Sequence, residues 1–119
     1  MFSLGYGTDT GAELRYELKR GSQMKLKDIA SECYKIAREM ADKKQAPNPD
    51  NTILMFKHLA GEVIEATDAY NLGEQAFSEE LSDVIIDTLI IAESCRINIY
   101  DAIHKKIKKN KERAGLTDI

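Results

Sequence analysis

The stretch "SEELSDVIIDTLIIAESC", residues 78–95, decides how this chain folds. The apolar residues of "VIIDTLIIA" point around the whole circumference of a helix, and such a helix is buried on every side. Glu80, Asp83 and Asp87 run through the same segment at spacings of three and four residues, which place them on one helical face. The stretch therefore predicts a central helix that carries a line of carboxylates.

Helical periodicity continues on both sides of this stretch, and no segment shows the alternation of a strand. We predict four helices, each bounded by a cap residue, a proline or a glycine: about 26–44, stopped by "QAPNPDN"; a second capped by Asp50 or Asn51 and ended near Gly73; a third capped by Ser78; and a fourth from Asn98 to Gly115. The predicted fold class is all-α, a four-helix bundle with short links.

Apolar stripes assign the predicted inward faces. The stripe of the second helix comprises Ile53, Phe56, Leu59, Ala60, Val63 and Tyr70, and that of the fourth comprises Ile99, Ala102, Ile103 and Ile107. In a single four-helix bundle every helix has one face exposed to solvent, but "VIIDTLIIA" has no polar face that suits such exposure. Covering the third helix on all sides requires a second copy of the chain, so we expect a homodimer or a homotetramer.

The length of 119 residues fits one domain, which we expect to span residues 26–119, preceded by an arm or short helix at 1–25. No apolar run approaches the roughly 20 residues of a membrane span, and the N-terminus lacks the pattern of a signal peptide. A cytoplasmic location without a membrane partner is therefore expected. Cys33 and Cys95 are predicted to be buried free thiols.

The net charge of −3 conceals a strong asymmetry along the chain. From His58 to Cys95 there is no Lys or Arg, while nine acidic residues fall inside that stretch. From His104 to Arg113, six residues are basic and only Glu112 is acidic. Solvated helix faces are the general explanation for such runs, so the spacing of the charges must decide.

The acidic residues have the spacing of a cation site. Glu62 and Glu65 lie one turn apart on the second predicted helix, as Glu80 and Asp83 do on the third. Two antiparallel neighbours would bring both pairs together, and converging carboxylates repel one another by several kcal/mol unless a cation joins them. Oxygen ligands without a thiolate or imidazole cluster favour Mg²⁺, for which Mn²⁺ is a possible substitute.

Two other ligand classes fit less well. A di-iron bundle uses Glu-x-x-His pairs, and neither His58 nor His104 lies three residues after a Glu. Nucleic acid is not an expected partner, because few aromatic residues interleave the basic tail and the acidic centre would repel a phosphate backbone.

Three stretches, "HLAGEVIEATDAY", "EELSDVIIDTLIIA" and "AIHKKIKKNKERAG", together resemble the MazG-type all-α nucleoside triphosphate pyrophosphohydrolases. The signature of that family is Glu-x-x-Glu, a spacer and Glu-x-x-Asp, places that are occupied here by Glu62, Glu65, Glu80 and Asp83. A Lys-x-x-x-Asn-x-x-Arg pattern follows on the last helix and is matched by Lys106, Asn110 and Arg113. The resemblance covers roughly residues 27–115. Two positions depart from it, because Gly61 stands where many relatives have Glu and His58 stands where Lys is frequent.

The resemblance implies an enzyme that cuts nucleoside triphosphates between the α and β phosphates, with magnesium held by the four acids as the catalytic metal ligands. It also implies that Lys106, Asn110 and Arg113 bind the phosphates of the substrate. One of the four acids, or Asp87 one turn further along the helix, is a candidate for the general base. Asp87 and His58 are also candidates for supporting the metal ligands from behind. Related phosphoribosyl-ATP, dCTP or dUTP pyrophosphohydrolases share this chemistry, and a non-catalytic helical oligomerisation module is the alternative of another class.

Overall fold

The computed structural model describes residues 25–116, which form four α-helices joined by short links and contain no strand. The helices are α1 (Leu26–Asp42), α2 (Thr52–Ala69), α3 (Glu74–Ser94) and α4 (Ile99–Arg113). The predicted all-α class with four helices is confirmed. The arm or short helix predicted for 1–25 lies outside the described residues, apart from Lys25.

Helix α3 is the centre of the arrangement. Its backbone packs along α2 and α1 and also meets α4, whereas the backbones of α1 and α2 do not approach each other directly, nor do those of α2 and α4. The buried residues of α3 are Asp87, Leu89, Ile90 and Ala92, which point in several directions around the helix axis. This central position covers part of the apolar circumference of "VIIDTLIIA", but Ile85 is 58% exposed and Ile86 is 38% exposed, so one side of α3 is not covered by the described residues.

The inward face of α2 differs from the predicted one. Met55, Ala66 and Ala69 are buried, while Ile53, Phe56, Val63 and Tyr70 are between 47% and 69% exposed. Because α2 is apolar on most of its circumference, periodicity alone does not indicate which side packs. The face with two alanines lies against α3, since small side chains let two helices approach closely.

Helix α3 begins earlier than predicted. Ser78 was the expected cap, but the helix starts at Glu74 after Gly73, whose φ is 105°. Ser78 lies inside the helix, where its carbonyl accepts a hydrogen bond from the Ser82 hydroxyl at 2.7 Å. Gly73 has no side chain that could cap the helix, so the sequence pattern predicts a start at the next residue with a capping side chain, Ser78.

The other caps agree with the predicted ones. Asn51 begins α2 by accepting a hydrogen bond from the Leu54 N–H at 3.0 Å, and Asn98 begins α4 by accepting one from the Asp101 N–H at 3.1 Å. Helix α1 ends two residues before the predicted position, at Asp42. Three left-handed residues then close α1, α3 and α4: Lys44, Arg96 and Gly115.

Asp50 ties α1 to the end of α3. One carboxylate oxygen accepts hydrogen bonds from the Tyr34 hydroxyl at 2.7 Å and the Ser94 hydroxyl at 3.0 Å. The other accepts from the Arg38 guanidinium at 2.8 Å. These bonds lower the pKa of Asp50, first through Tyr34 and Ser94 and then through Arg38. The link between α1 and α2 is thereby anchored to both neighbouring helices.

Helix α4 is the least packed element. Every side chain from Tyr100 to Asn110 is exposed, including Ala102, Ile103 and Ile107, which the apolar stripe placed inward. That prediction is wrong within one chain because no other described element covers the stripe. The amphipathic pattern is present, but its apolar side has no cover here.

The prediction of two buried free thiols is correct in part. Cys33 and Cys95 are free thiols, but Cys33 is half-buried and Cys95 is exposed.

Among the helices of residues 25–116, none combines the length and the apolar content that crossing a bilayer requires.

Candidate metal centre

Three acids of this site, Glu62, Glu80 and Asp87, occupy inward positions of the α2–α3 pair, whereas Glu65 and Asp83 are exposed. On α2, Glu62 continues the inward series of Met55, Leu59, Ala66 and Ala69, at spacings of four, three, four and three. On α3, Glu80 and Asp87 share the series of Phe77, Val84 and Ile91, whose members are all buried or half-buried. The helices therefore bring acidic groups together where hydrophobic side chains would ordinarily pack.

Two groups of potential ligands result. Carboxylate oxygens of Glu62, Glu65 and Glu80 lie within 4.8 Å of one another, and so do ligand atoms of His58, Glu62 and Asp87. Glu62 belongs to both groups and connects them. Asp83 belongs to neither, although it lies close enough for its charge to act on both Glu62 and Glu80.

Two oxygens in this cluster have no partner. Among the described residues, Glu62 Oε2 and Glu80 Oε2 are the buried side-chain atoms without a hydrogen bond. A buried carboxylate oxygen that accepts nothing loses its hydration without compensation, which costs about 1–3 kcal/mol or more for a charged group. The pair of orphaned oxygens is the feature of this site that most directly calls for a cation.

The charges raise the pKa of two of the acids. Burial raises the pKa of Glu62, and the neighbouring charges of Asp83 and Glu65 raise it further, against a smaller opposing effect of His58. Burial also raises the pKa of Glu80, followed by the charges of Glu65 and Asp83. Each carboxylate is thus harder to ionise than an isolated one, unless a positive charge joins the group.

His58 and Asp87 form the second connection between α2 and α3. The Nδ1–H of His58 donates to Asp87 Oδ2 at 2.6 Å, and His58 Nε2 lies 3.6 Å from Glu62 Oε1. Burial lowers the pKa of His58, but the hydrogen bond to Asp87 and the acidic charges outweigh it, so the net shift is upward. This contact between residues 29 positions apart depends on the register of two helices, which periodicity does not reveal.

The basic residues predicted to bind phosphates lie elsewhere in the single chain. Lys106, Asn110 and Arg113 are exposed on α4, and the backbone of α4 does not approach α2. The four predicted acids are therefore gathered at the α2–α3 interface, with Asp83 at its edge, while the basic set is not brought to them within one chain.

A cavity of about 360 Å³ adjoins the acids. Asp83, Asp87 and His58 line it on one side, and residues of α1 and of the α1–α2 link line the other. No feature of the sequence predicts this cavity. Its walls come from four separate segments, and no local pattern marks a space between helices.

The donor set suits a hard divalent cation. Carboxylate oxygens from two helices converge, two of them lack any other partner, and the sequence between His58 and Cys95, which supplies all four acids, contains no Lys or Arg. Mg²⁺ and Mn²⁺ prefer such oxygen ligands and commonly bind phosphate as well. The residues present therefore fit the cation that the sequence predicted.

No curated protein and no solved structure matches the chain. A family model does match, that of the MazG nucleotide pyrophosphohydrolase domain, over residues 50–115. The matched range is more than half of the chain and contains α2, α3 and α4 with all the predicted acidic and basic positions. The match agrees with the helical fold and with the resemblance seen in the sequence, and the chain belongs to the MazG nucleotide pyrophosphohydrolase domain family, whose members are hydrolases acting on phosphoric anhydrides.

Proposed function

We propose that this protein hydrolyses nucleoside triphosphates between the α and β phosphates, with Mg²⁺ held by Glu62, Glu65, Glu80 and Asp83. The observation that carries the proposal is the orphaned pair of buried oxygens, Glu62 Oε2 and Glu80 Oε2, within a group of converging carboxylates. The family generally uses a divalent metal, and Mn²⁺ is a possible substitute.

The residues of the chain prepare this reaction by position and charge. Glu62, Glu65 and Glu80 would hold the cation directly, and Asp83 would join them from the edge of the cluster. A bound cation supplies positive charge that polarises the phosphoryl oxygens and lowers the pKa of a bound water. In the proposed hydrolysis, water would add its oxygen to the α or β phosphorus as the α–β anhydride bond breaks, giving nucleoside monophosphate and pyrophosphate. The proton that the water loses passes to a carboxylate of the same cluster.

His58 and Asp87 support the metal ligands. Asp87 is 6% exposed and holds His58 Nδ1, which fixes the ring so that Nε2 faces Glu62. A hydrogen-bonded group behind a ligand keeps that ligand in one orientation. The His58–Asp87 pair therefore restricts rotation of the Glu62 carboxylate away from the site.

The protein is proposed to act as a homo-oligomer. Within one chain, Ile85 is 58% exposed and Ile107 is 47% exposed, and α2 adds Ile53, Phe56 and Ile64. Isolated apolar residues are common on surfaces, but faces of three helices together are typical of an interface. A dimer or tetramer would cover them, as the circumference of α3 predicted.

Assembly would also bring basic residues to the bound substrate. Lys106, Asn110 and Arg113 lie on one exposed side of α4, which has no cover in the single chain. We place them at the triphosphate, with α4 of a second copy bringing positive charge to the acidic site. Arg113 suits a forked contact with phosphate and Lys106 acts as a point charge.

Other substrates remain within the same chemistry. Phosphoribosyl-ATP, dCTP and dUTP carry the same anhydride, so they are alternatives to a broader range of nucleoside triphosphates. Membership in a family of hydrolases sets aside the non-catalytic oligomerisation module.

The test is a screen of common NTPs and dNTPs for pyrophosphate release with Mg²⁺. Glu80→Gln and Asp83→Asn keep side-chain size and remove charge, so each is expected to lower the rate by about 100-fold or more. Glu79→Gln is the matched control, since Glu79 is exposed on another face of the same helix. Equal rates for the Glu79 and Glu80 variants would contradict the proposed site.

A further inference from the structure

The cavity beside the proposed metal site is of a size that takes a small molecule. Its volume is about 360 Å³, and ligand pockets in proteins commonly measure about 300–1,000 Å³. Asp83, Asp87 and His58 line the end nearest the carboxylate cluster. A substrate whose phosphates are held at those acids must place its nucleoside in adjoining space, and this cavity is such a space.

The walls away from the acids are apolar and adaptable. Ile36 and Met40 come from α1, Met55 from α2, and Ile86 and Ile90 from α3. Such walls hold a flat ring, and methionine side chains adjust to its outline. Apolar contacts alone discriminate weakly between ligands, by about 10–200-fold for a methylene group. Selection between bases therefore needs a polar group in the cavity.

Gln45, an exposed residue that lines the cavity, supplies a neutral polar group in addition to Asp83, Asp87 and His58. Among the residues that line the cavity, it has the one amide side chain, with two hydrogen-bond donors and an acceptor. Its backbone is held in place at the end of α1, because its N–H donates to the Met40 carbonyl at 2.8 Å after the left-handed Lys44, whose φ is 58°. This closing motif of α1 fixes where the Gln45 side chain starts.

We infer that this cavity receives the nucleobase of the substrate and that Gln45 is the residue that determines which base is preferred. The inference rests on the proposed function and adds the position of the base to it. The ligand class is a nucleobase, whose edge places hydrogen-bond donors and acceptors in an order that differs from base to base, so that the amide of Gln45, held in one orientation, pairs fully with some bases and not with others.

The test compares Gln45→Leu, which keeps the size and removes the hydrogen bonds, with Lys35→Ala on α1. Both residues are exposed, but Lys35 does not line the cavity. The measurement is kcat/KM for pyrophosphate release from each common NTP and dNTP. The ratio between the best and the poorest nucleotide is expected to shrink by about tenfold or more in Gln45→Leu. It should stay within about twofold in Lys35→Ala. Unchanged ratios in Gln45→Leu would overturn the assignment of Gln45.

A second measurement separates this inference from the proposed function. If the unmodified protein releases pyrophosphate from no nucleotide, the proposed function fails, and calorimetric binding of free nucleosides without metal then decides about the cavity. Binding of a nucleoside that weakens about tenfold in Gln45→Leu, but not in Lys35→Ala, upholds the base site. Absence of binding for every common nucleoside overturns it, as would be expected if a side chain of a second copy fills the cavity.

Discussion

The α2–α3 pair and helix α4 use charge in opposite ways. In the pair, acids of one sign are brought together where two helices pack, and two of their oxygens have no partner. On α4, basic residues are spread along a helix that is exposed from Tyr100 to Asn110. The first arrangement costs free energy unless a cation is present, whereas the second costs little. The difference agrees with the proposed function, in which the acidic half holds a cation and the basic half meets the phosphates of the substrate.

The largest contrast is expected between two isoleucines of these regions. Ile90 on α3 is 5% exposed and Ile107 on α4 is 47% exposed. Ile90→Asp buries an unpaired charge and should lower the free energy of unfolding by about 4 kcal/mol or prevent folding. Ile107→Asp should leave the folded chain intact but reduce assembly. Urea unfolding and light scattering measure the two effects, and equal loss of stability in both variants would remove the contrast.

The next effect concerns the acid shared by both ligand groups. Glu62→Gln should lower pyrophosphate release by about 100-fold or more, because a ligand charge is lost. The metal-free protein should melt no lower than the unmodified one, since one member of a repelling group is gone. Asp68→Asn, at an exposed position of the same helix, is the control. A loss of activity in Glu62→Gln that comes with a lower melting temperature would indicate a structural role instead.

A substitution on α4 is expected to have a smaller effect, on KM for the nucleotide rather than on the rate of the chemical step. Arg113→Ala should raise KM for the nucleotide by about tenfold through the loss of a charge-assisted hydrogen bond to phosphate. Melting should hardly change, because Arg113 is exposed. Lys109→Ala on the same helix serves as the comparison. Steady-state kinetics giving the same KM for all three proteins would separate α4 from the substrate.

The smallest effect is a dependence of stability on pH. The pKa values of Glu62, Glu80 and His58 are raised above the reference values of 4.5 for Glu and 6.5 for His. A raised pKa contributes stability that is complete below the reference value and is lost as pH rises through the folded-state pKa. Metal-free protein should therefore melt at a lower temperature at pH 7.5 than at pH 5. Melting curves in chelator that rise over this interval would contradict the assignment, and added Mg²⁺ should oppose the fall.

Much of the fold followed from local chemistry. Asn51 and Asn98 mark helix starts through their side chains, and "QAPNPDN" stops α1 through its prolines, so these boundaries were predictable within about two residues. The start of α3 was not, because Gly73 begins the helix without a side-chain signal. Local sequence signals predict a helix boundary correctly where a side chain at that boundary caps the helix or, as proline does, stops it.

The site was predictable in part for the same reason. Spacing placed Glu62 with Glu65, and Glu80 with Asp83, but it did not reveal that Glu62 lies on the packed face of α2. The stripe of Ile53 and Phe56 is equally apolar, and only contact with α3 decides between the two faces. The His58–Asp87 contact and the cavity at Gln45 likewise depend on how helices are juxtaposed.

We propose that the acids of α2 and α3 hold a divalent cation, and calorimetric titration with Mg²⁺, with and without nucleotide, is the decisive experiment. We expect binding by the unmodified protein and by Glu79→Gln, and binding at least about tenfold weaker in Glu80→Gln, since a charged ligand is lost. Mg²⁺ binding that is absent from the unmodified protein under both conditions, or equally strong in all three proteins, would contradict it.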